Sequence, residues 1–163
     1  MSAWPVPDLM RDDIYEVTPA LLRKMGVRFV LLDVDNTLAP YTVDTAGPAL
    51  REWVRRLRSA GLRCYILSNN RGERPEKFAA ALDLPYRKRA KKPSPRAARE
   101  VLAELGFRPA ETALIGDQIY TDALCARRCG AKAVVVKPIE FSNFWLRIRY
   151  WAELPFRMAY KLK

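Results

Sequence analysis

The sequence predicts an α/β fold, a five-stranded and mostly parallel sheet with helices on both faces. Three features lead there: short β-branched apolar runs, amphipathic stretches between them, and proline or glycine punctuation at the joins. The length of 163 residues suits one domain spanning 1–163.

Residues 1–10 are broken by Pro5 and Pro7 and read as irregular. Thr18 before Pro19 has the form of an N-cap followed by proline at the first helical position, with Gly26 closing a short helix. The run 27–32 is apolar except for Arg28, as expected of a strand buried on both faces. Gly47 and Pro48 open a helix with Leu50, Trp53, Val54 and Leu57 on one face, and Gly61 ends it. Residues 62–67 read as the second strand, 75–82 as a helix, and a short third strand lies near Tyr86. Ser94 and Pro95 start the next helix, with Val101, Leu102 and Leu105 inward and Gly106 as its stop. A strand over 112–115, a helix over 121–129 and a strand over 133–136 complete the alternation. The core thus runs from about 21 to 138, leaving 139–163 as a basic, aromatic C-terminal segment. There Phe141, Phe144, Trp145, Ile148 and Ala152 follow helical spacing and are expected to pack on the sheet, with Pro155 as a break.

Composition narrows the function. Half of the residues are hydrophobic and 29% charged, so the chain is globular rather than disordered. The net charge of +11 points to an anionic partner or substrate. The chain contains no histidine, which removes Ser-His-Asp triads, HExxH zinc sites and histidine acid–base chemistry together. Its glycines form neither GxGxxG nor a P-loop. Cys64, Cys125 and Cys129 are too few for a four-thiolate zinc site and read as small core residues in a reducing compartment. Residues 1–13 lack an apolar h-region, so neither a signal nor a transit peptide is expected, and no apolar run is long enough to span a bilayer.

Chemistry-bearing residues gather at strand ends, where open α/β sheets bind ligands. The first strand ends in Asp33-Val34-Asp35-Asn36-Thr37-Leu38, and the fourth in Gly116-Asp117, with Asp122 five residues on. The second ends in Ser68-Asn69-Asn70, and Lys91-Lys92-Pro93 precedes a helix. Each string has an ordinary explanation alone: Asp122 as a helix cap, Ser68-Asn69-Asn70 as a turn, the lysines as a solvated face. Together, in this order, they read as a site.

VLLDVDNTL, ILSNN, KKP and IGDQIYTD resemble, in order, the four motifs of the haloacid dehalogenase (HAD) superfamily of phosphohydrolases. In detail they are similar to the class IIIA, YqeG-type branch, related to mitochondrial phosphatidylglycerophosphate phosphatases. The resemblance implies a HAD-like Rossmannoid fold and a phosphomonoester hydrolase. Asp33 would be the nucleophile and Asp35 the general acid and base. Mg²⁺ would be held by Asp33, the carbonyl of Asp35, and Asp117. Ser68, the amide of Asn69, and Lys92 would bind phosphoryl oxygens, with Lys91 as a rival to Lys92. Thr37 and Asp122 would support the site.

Segment 38–61 leaves room for a loop and one helix and segment 70–91 for a helix and a short strand, neither for a cap domain. An open site is therefore expected, with a bulky or surface-bound substrate or a lid supplied by a partner. The acid-free basic stretch 84–99 and the C-terminal segment suit an anionic lipid phosphate such as phosphatidylglycerophosphate. They also suit peripheral contact with an anionic membrane from the cytoplasmic side. Two alternatives are a nucleotide or nucleic-acid end phosphatase and a basic RNA- or protein-binding module retaining the fold. The acidic residues argue against the second, because binding alone does not need them.

Overall fold

Residues 5–141 and 144–161 are described by a computed structural model. The reading of residues 1–4 as irregular, and the end of the C-terminal segment at 162–163, lie outside them.

The strands are β1 (Leu9–Arg11), β2 (Phe29–Leu32), β3 (Arg63–Leu67), β4 (Tyr86–Arg87), β5 (Thr112–Gly116) and β6 (Lys132–Val136). They form one sheet in the order β1-β6-β5-β2-β3-β4, and every pairing is parallel. The helices are α1 (Pro19–Lys24), α2 (Pro48–Ser59), α3 (Arg74–Leu82), α4 (Arg96–Leu105), α5 (Leu124–Cys129) and α6 (Phe144–Lys161).

Successive residues of each strand face opposite sides, so β2 feeds two cores. Val30 and Leu32 join a cluster with Leu22 of α1, the four apolar residues of α2, and Phe78 of α3. Phe29 and Leu31 join a second with Val101 and Leu102 of α4 and Cys125 and Ala126 of α5. Burial on both faces explains the unbroken apolar run. Local signals act as read: the Thr18 hydroxyl caps α1 by accepting from Leu21 N at 3.2 Å, and Gly106 ends α4 in the left-handed region at φ 72°. The three cysteines are buried and free, and burial pushes the thiols of Cys64 and Cys125 up to about 12, which leaves them inert.

Four expectations are corrected. The sheet has six strands rather than five, because Leu9–Arg11, in and beside the segment read as irregular, pairs with β6. A three-residue edge strand is too short to show alternation; its partner's open edge supplies the order. Residues 119–123 form a π-helical turn ahead of α5 rather than part of one regular helix. The C-terminal helix also packs with the opposite face. Glu153 and Arg157 are its buried residues, whereas Phe144, Trp145 and Trp151 are 70%, 70% and 68% exposed. Pro155 does not end it, since Glu153 and Arg157 anchor the helix on either side of the proline. Glu153 Oε1 accepts from Ile119 N at 2.8 Å, and Arg157 Nη2 donates to the Asp117 carbonyl at 2.9 Å. Buried hydrogen bonds to the loop, not apolar area, set the register of α6.

Candidate active site

Between β2 and β5 the strand order reverses, opening a crevice at the carboxyl ends of both strands. Asp33 N donates to Ile115 O at 3.0 Å, carrying the sheet register one residue past β2 and setting Asp33 beside the end of β5. The chain then turns at Asn36, whose φ of 61° is in the left-handed region that asparagine tolerates. The Asn36 side chain exchanges hydrogen bonds of 2.8 and 2.7 Å with the Glu140 backbone, fixing the turn. Thr37 Oγ1 consequently lies 3.3 Å from Asp33 Oδ2 and 3.2 Å from Asp117 Oδ1, its one proton shared between them.

β5 delivers Asp117, and the π-helical turn brings Asp122 back against Gly116. A Cβ at residue 116 would collide with the Asp122 carboxyl group, so glycine is required there. Oxygens of Asp33, Asp117 and Asp122 lie within 4.8 Å of one another, all three residues being buried.

Lys92 reaches this cluster from the loop before α4. Its Nζ is 2.7 Å from Asp33 Oδ1 and 2.6 Å from Asp122 Oδ1. Asn69 holds the Lys92 backbone at both polar atoms, donating to its carbonyl at 3.0 Å and accepting from its amide at 2.7 Å. Lys91 is exposed, whereas Lys92 is buried against the cluster. Ser68, at the end of β3, is buried, and its Oγ accepts from Asn70 N at 3.1 Å, leaving the hydroxyl proton for another acceptor.

Asp35 stands apart from this cluster. Arg74 Nε donates to its Oδ1 at 2.7 Å and Asn70 Nδ2 to its Oδ2 at 2.9 Å. The Arg74 guanidinium also donates to the carbonyls of Pro40 at 2.6 Å, Ala39 at 3.3 Å and Val43, so one side chain fastens the loop after β2 to Asp35. The three clustered carboxylates are therefore Asp33, Asp117 and Asp122. The last was expected only as a support, while Asp35 was expected at the metal through its carbonyl.

Charge in the cluster is unbalanced. Burial, then Asp122, push Asp33 up to about 7 against the pull of Lys92. Burial, with Asp122 and Asp33 nearby, raises Asp117 well above the usual carboxylate range. Among the described residues Lys92 is the one cation bonded to these carboxylate groups, and it cannot offset three of them. Hard, anionic oxygens that lack countercharge fit a divalent cation with oxygen preference.

Sequence reasoning missed Arg74, Glu153 and Arg157, and it named Asn70 within its string without its role towards Asp35. Arg74 lies in a charged stretch that reads as solvated surface, and its partners are backbone carbonyls about thirty residues away. Glu153 and Arg157 share a helix face at i, i+4, a weak signal that the aromatic stripe outweighed.

Residues 41–130 match the family model of haloacid dehalogenase-like hydrolases. The probable phosphatase YqeG of Bacillus subtilis (strain 168) is 30% identical over 138 residues, covering 85% of this chain and 80% of that protein. The chain belongs to the haloacid dehalogenase-like hydrolase family, and within it to the phosphatases, the phosphoric monoester hydrolases. Phosphatidylglycerophosphate phosphatase 1, chloroplastic/mitochondrial, of Arabidopsis thaliana is 29% identical over 146 residues. That match covers 83% of this chain but 41% of the plant protein. Among solved structures, the 3-deoxy-D-manno-octulosonate 8-phosphate phosphatase of Moraxella catarrhalis aligns over 86% of this chain and 94% of its own. Its TM-score is 0.53 at 13% identity, a likeness of fold.

Proposed function

We propose that the chain is a Mg²⁺-dependent phosphatase that works through an aspartyl-phosphate on Asp33 and acts on an anionic lipid phosphate of the phosphatidylglycerophosphate type. The observation that carries the chemistry is the buried group of Asp33, Asp117 and Asp122, with Lys92 Nζ bonded to Asp33 and Asp122. Asp33, Asp117 and the Asp35 carbonyl would hold Mg²⁺, with Asp122 beside them. Bound Mg²⁺ would neutralise the carboxylates and draw charge from the phosphoryl oxygens.

Asp33 forms a bond to phosphorus as the bond to the leaving oxygen breaks, and Asp35 gives that oxygen its proton. Asp35 then takes a proton from water, whose oxygen attacks phosphorus and releases the Asp33 carboxylate. Lys92, the Ser68 hydroxyl and the Asn69 amide bind the phosphoryl oxygens throughout. Asn70 and Arg74 are positioning residues for Asp35. Like charges explain the need for so many cations: a phosphate charge at 4 Å from a carboxylate meets about 4 kcal/mol of repulsion at an effective dielectric near 20.

The lipid part of the reading draws on the plant relative's name and on α6. Phe144, Ile148, Trp151 and Met158 form an exposed stripe along the outer face of α6. By helical spacing Arg147 borders that stripe, whereas Arg149 lies towards the inner face and donates to Gln118 Oε1 at 2.6 Å. An exposed apolar stripe bordered by an arginine suits the headgroup region of an anionic bilayer. No helix among the described residues is long and apolar enough to cross a membrane. Through Glu153 and Arg157 the inner face of the same helix touches the Asp117 loop, so a docked α6 holds the acid cluster near the surface.

The test is a substrate panel of phosphatidylglycerophosphate in mixed micelles, nucleotides and sugar phosphates, with and without Mg²⁺. The highest kcat/KM is expected for the lipid with Mg²⁺; a nucleotide in first place overturns the lipid assignment. In parallel, the wild type should sediment with anionic liposomes and Trp151→Ser less so. Equal sedimentation of the two removes α6 from the account.

A further inference from the structure

Beside the acid cluster is a second concavity, of about 500 Å³, lined by Asn69, Arg71, Arg89 and Lys91. It holds three cations and no carboxylate. Other surface arginines nearby are ion-paired: Arg87 with Glu100 and Glu104, and Arg96 with Glu100. Among the described residues, neither Arg71, Arg89 nor Lys91 forms an ion pair.

The cluster is also built rather than incidental. Arg89 N donates to Asn70 O at 3.1 Å and Ala90 N to Ser68 O at 3.0 Å, so this loop is bonded to the loop that follows β3. Arg89 and Lys91 both have φ of 56°, a left-handed conformation that costs a non-glycine residue free energy. Between them Ala90 is buried, and next to them Lys92 is buried against Asp33. Four consecutive residues thus send one cation inward to the nucleophile and two outward to the concavity, with Asn69 bordering both.

Resting on the phosphatase reading above, we propose that this concavity is a second anion subsite. It takes a phosphodiester or a second phosphate carried by the leaving group, while the scissile phosphomonoester meets Asp33 and Lys92. The substrate class is then a phosphomonoester with another phosphate-type charge a few bonds away, as in a glycerophospholipid headgroup or a nucleoside bisphosphate. Single exposed ion pairs are weak, so three cations acting on one anion should give a preference of about tenfold, diminishing with salt.

The experiment compares glycerol 3-phosphate with glycerophosphoglycerophosphate, the deacylated lipid headgroup, and with adenosine 3′,5′-bisphosphate. Wild type should turn over at least one two-anion compound with a kcat/KM about tenfold above glycerol 3-phosphate, the difference lying in KM. Which of the two is preferred distinguishes a lipid source from a nucleotide source. In the doubly substituted R71Q/R89Q protein that ratio should fall towards one, with partial return in R71K/R89K. No preference in wild type, or a preference that survives the double substitution, overturns the subsite. Should no phosphomonoester be turned over, the phosphatase reading fails by itself, and calorimetric titration with the same compounds decides the subsite. There the two-anion compounds should bind about tenfold tighter to wild type and no tighter than glycerol 3-phosphate to the variant; equal wild-type affinities overturn it.

Discussion

Lys92 Nζ and Asp33 Oδ1 are 2.7 Å apart in a buried ion pair at the end of β2. Burial works to lower the lysine pKa, yet Asp122 and Asp33 hold it above its ordinary value, so the ammonium stays charged. Lys92→Met would leave Asp33, Asp117 and Asp122 without that cation and the phosphoryl group without its donor. Removing one partner of such a pair costs about 3–5 kcal/mol of stability, and kcat/KM should fall roughly 100-fold or more. Steady-state kinetics with a thermal melt checks both; near-normal kcat/KM would remove Lys92 from the site.

Asp33 and Asp117 have pKa values raised on folding, so the metal-free folded state binds more protons than the unfolded chain. Their contribution is fully present below the ordinary carboxylate range and is lost as pH rises through about 7, the raised value of Asp33. Metal-free protein should therefore melt at lower temperature at pH 8 than at pH 5. Saturating Mg²⁺ should raise Tm by about 5–10 °C at pH 8, and by less at pH 5, where protons compete for the same oxygens. A Mg²⁺ effect independent of pH contradicts this.

Arg74 links Asp35 to the loop over residues 39–43, so its loss should affect proton transfer to the leaving group. Arg74→Ala is expected to lower kcat/KM about tenfold on alkyl phosphates and far less on p-nitrophenyl phosphate, whose leaving group needs no acid. Asp35→Asn should show the same split more strongly, roughly 100-fold or more on alkyl phosphates. Equal losses on both substrates would indicate a structural role alone.

Glu153→Ala removes the acceptor for Ile119 N and leaves Arg157 as an unpaired buried charge. Stability should drop by about 3–5 kcal/mol. Because Arg157 also bonds the Asp117 carbonyl, Mg²⁺ affinity should weaken about tenfold or more. Trp151→Ser, on the outer face, should leave stability within about 0.5 kcal/mol. Denaturant melts and calorimetric Mg²⁺ titration separate the two; wild-type Mg²⁺ binding in Glu153→Ala would uncouple α6 from the site.

The strands buried on both faces, the N-cap at Thr18, the stop at Gly106 and the four acidic and polar strings were legible because each depends on local chemistry or on short-range periodicity. β1 was not, since a three-residue edge strand has its order supplied by β6. The inward face of α6 was misjudged for a related reason: the helix is amphipathic by composition, but the hydrogen bonds that Glu153 accepts from Ile119 and Tyr120 and that Arg157 donates to the Asp117 carbonyl outweigh its aromatic stripe. Asp33 and Asp117 could be picked out from their strand ends. Arg74 and the role of Asn70 could not, because both depend on contacts more than thirty residues away.

The central claim is that Asp33 attacks phosphorus, and the stereochemical course at phosphorus tests it most directly. With a substrate whose phosphoryl group is made chiral by oxygen isotopes, two successive in-line displacements predict overall retention of configuration. Overall inversion would mean that water attacks the substrate in one step and that Asp33 is not the nucleophile.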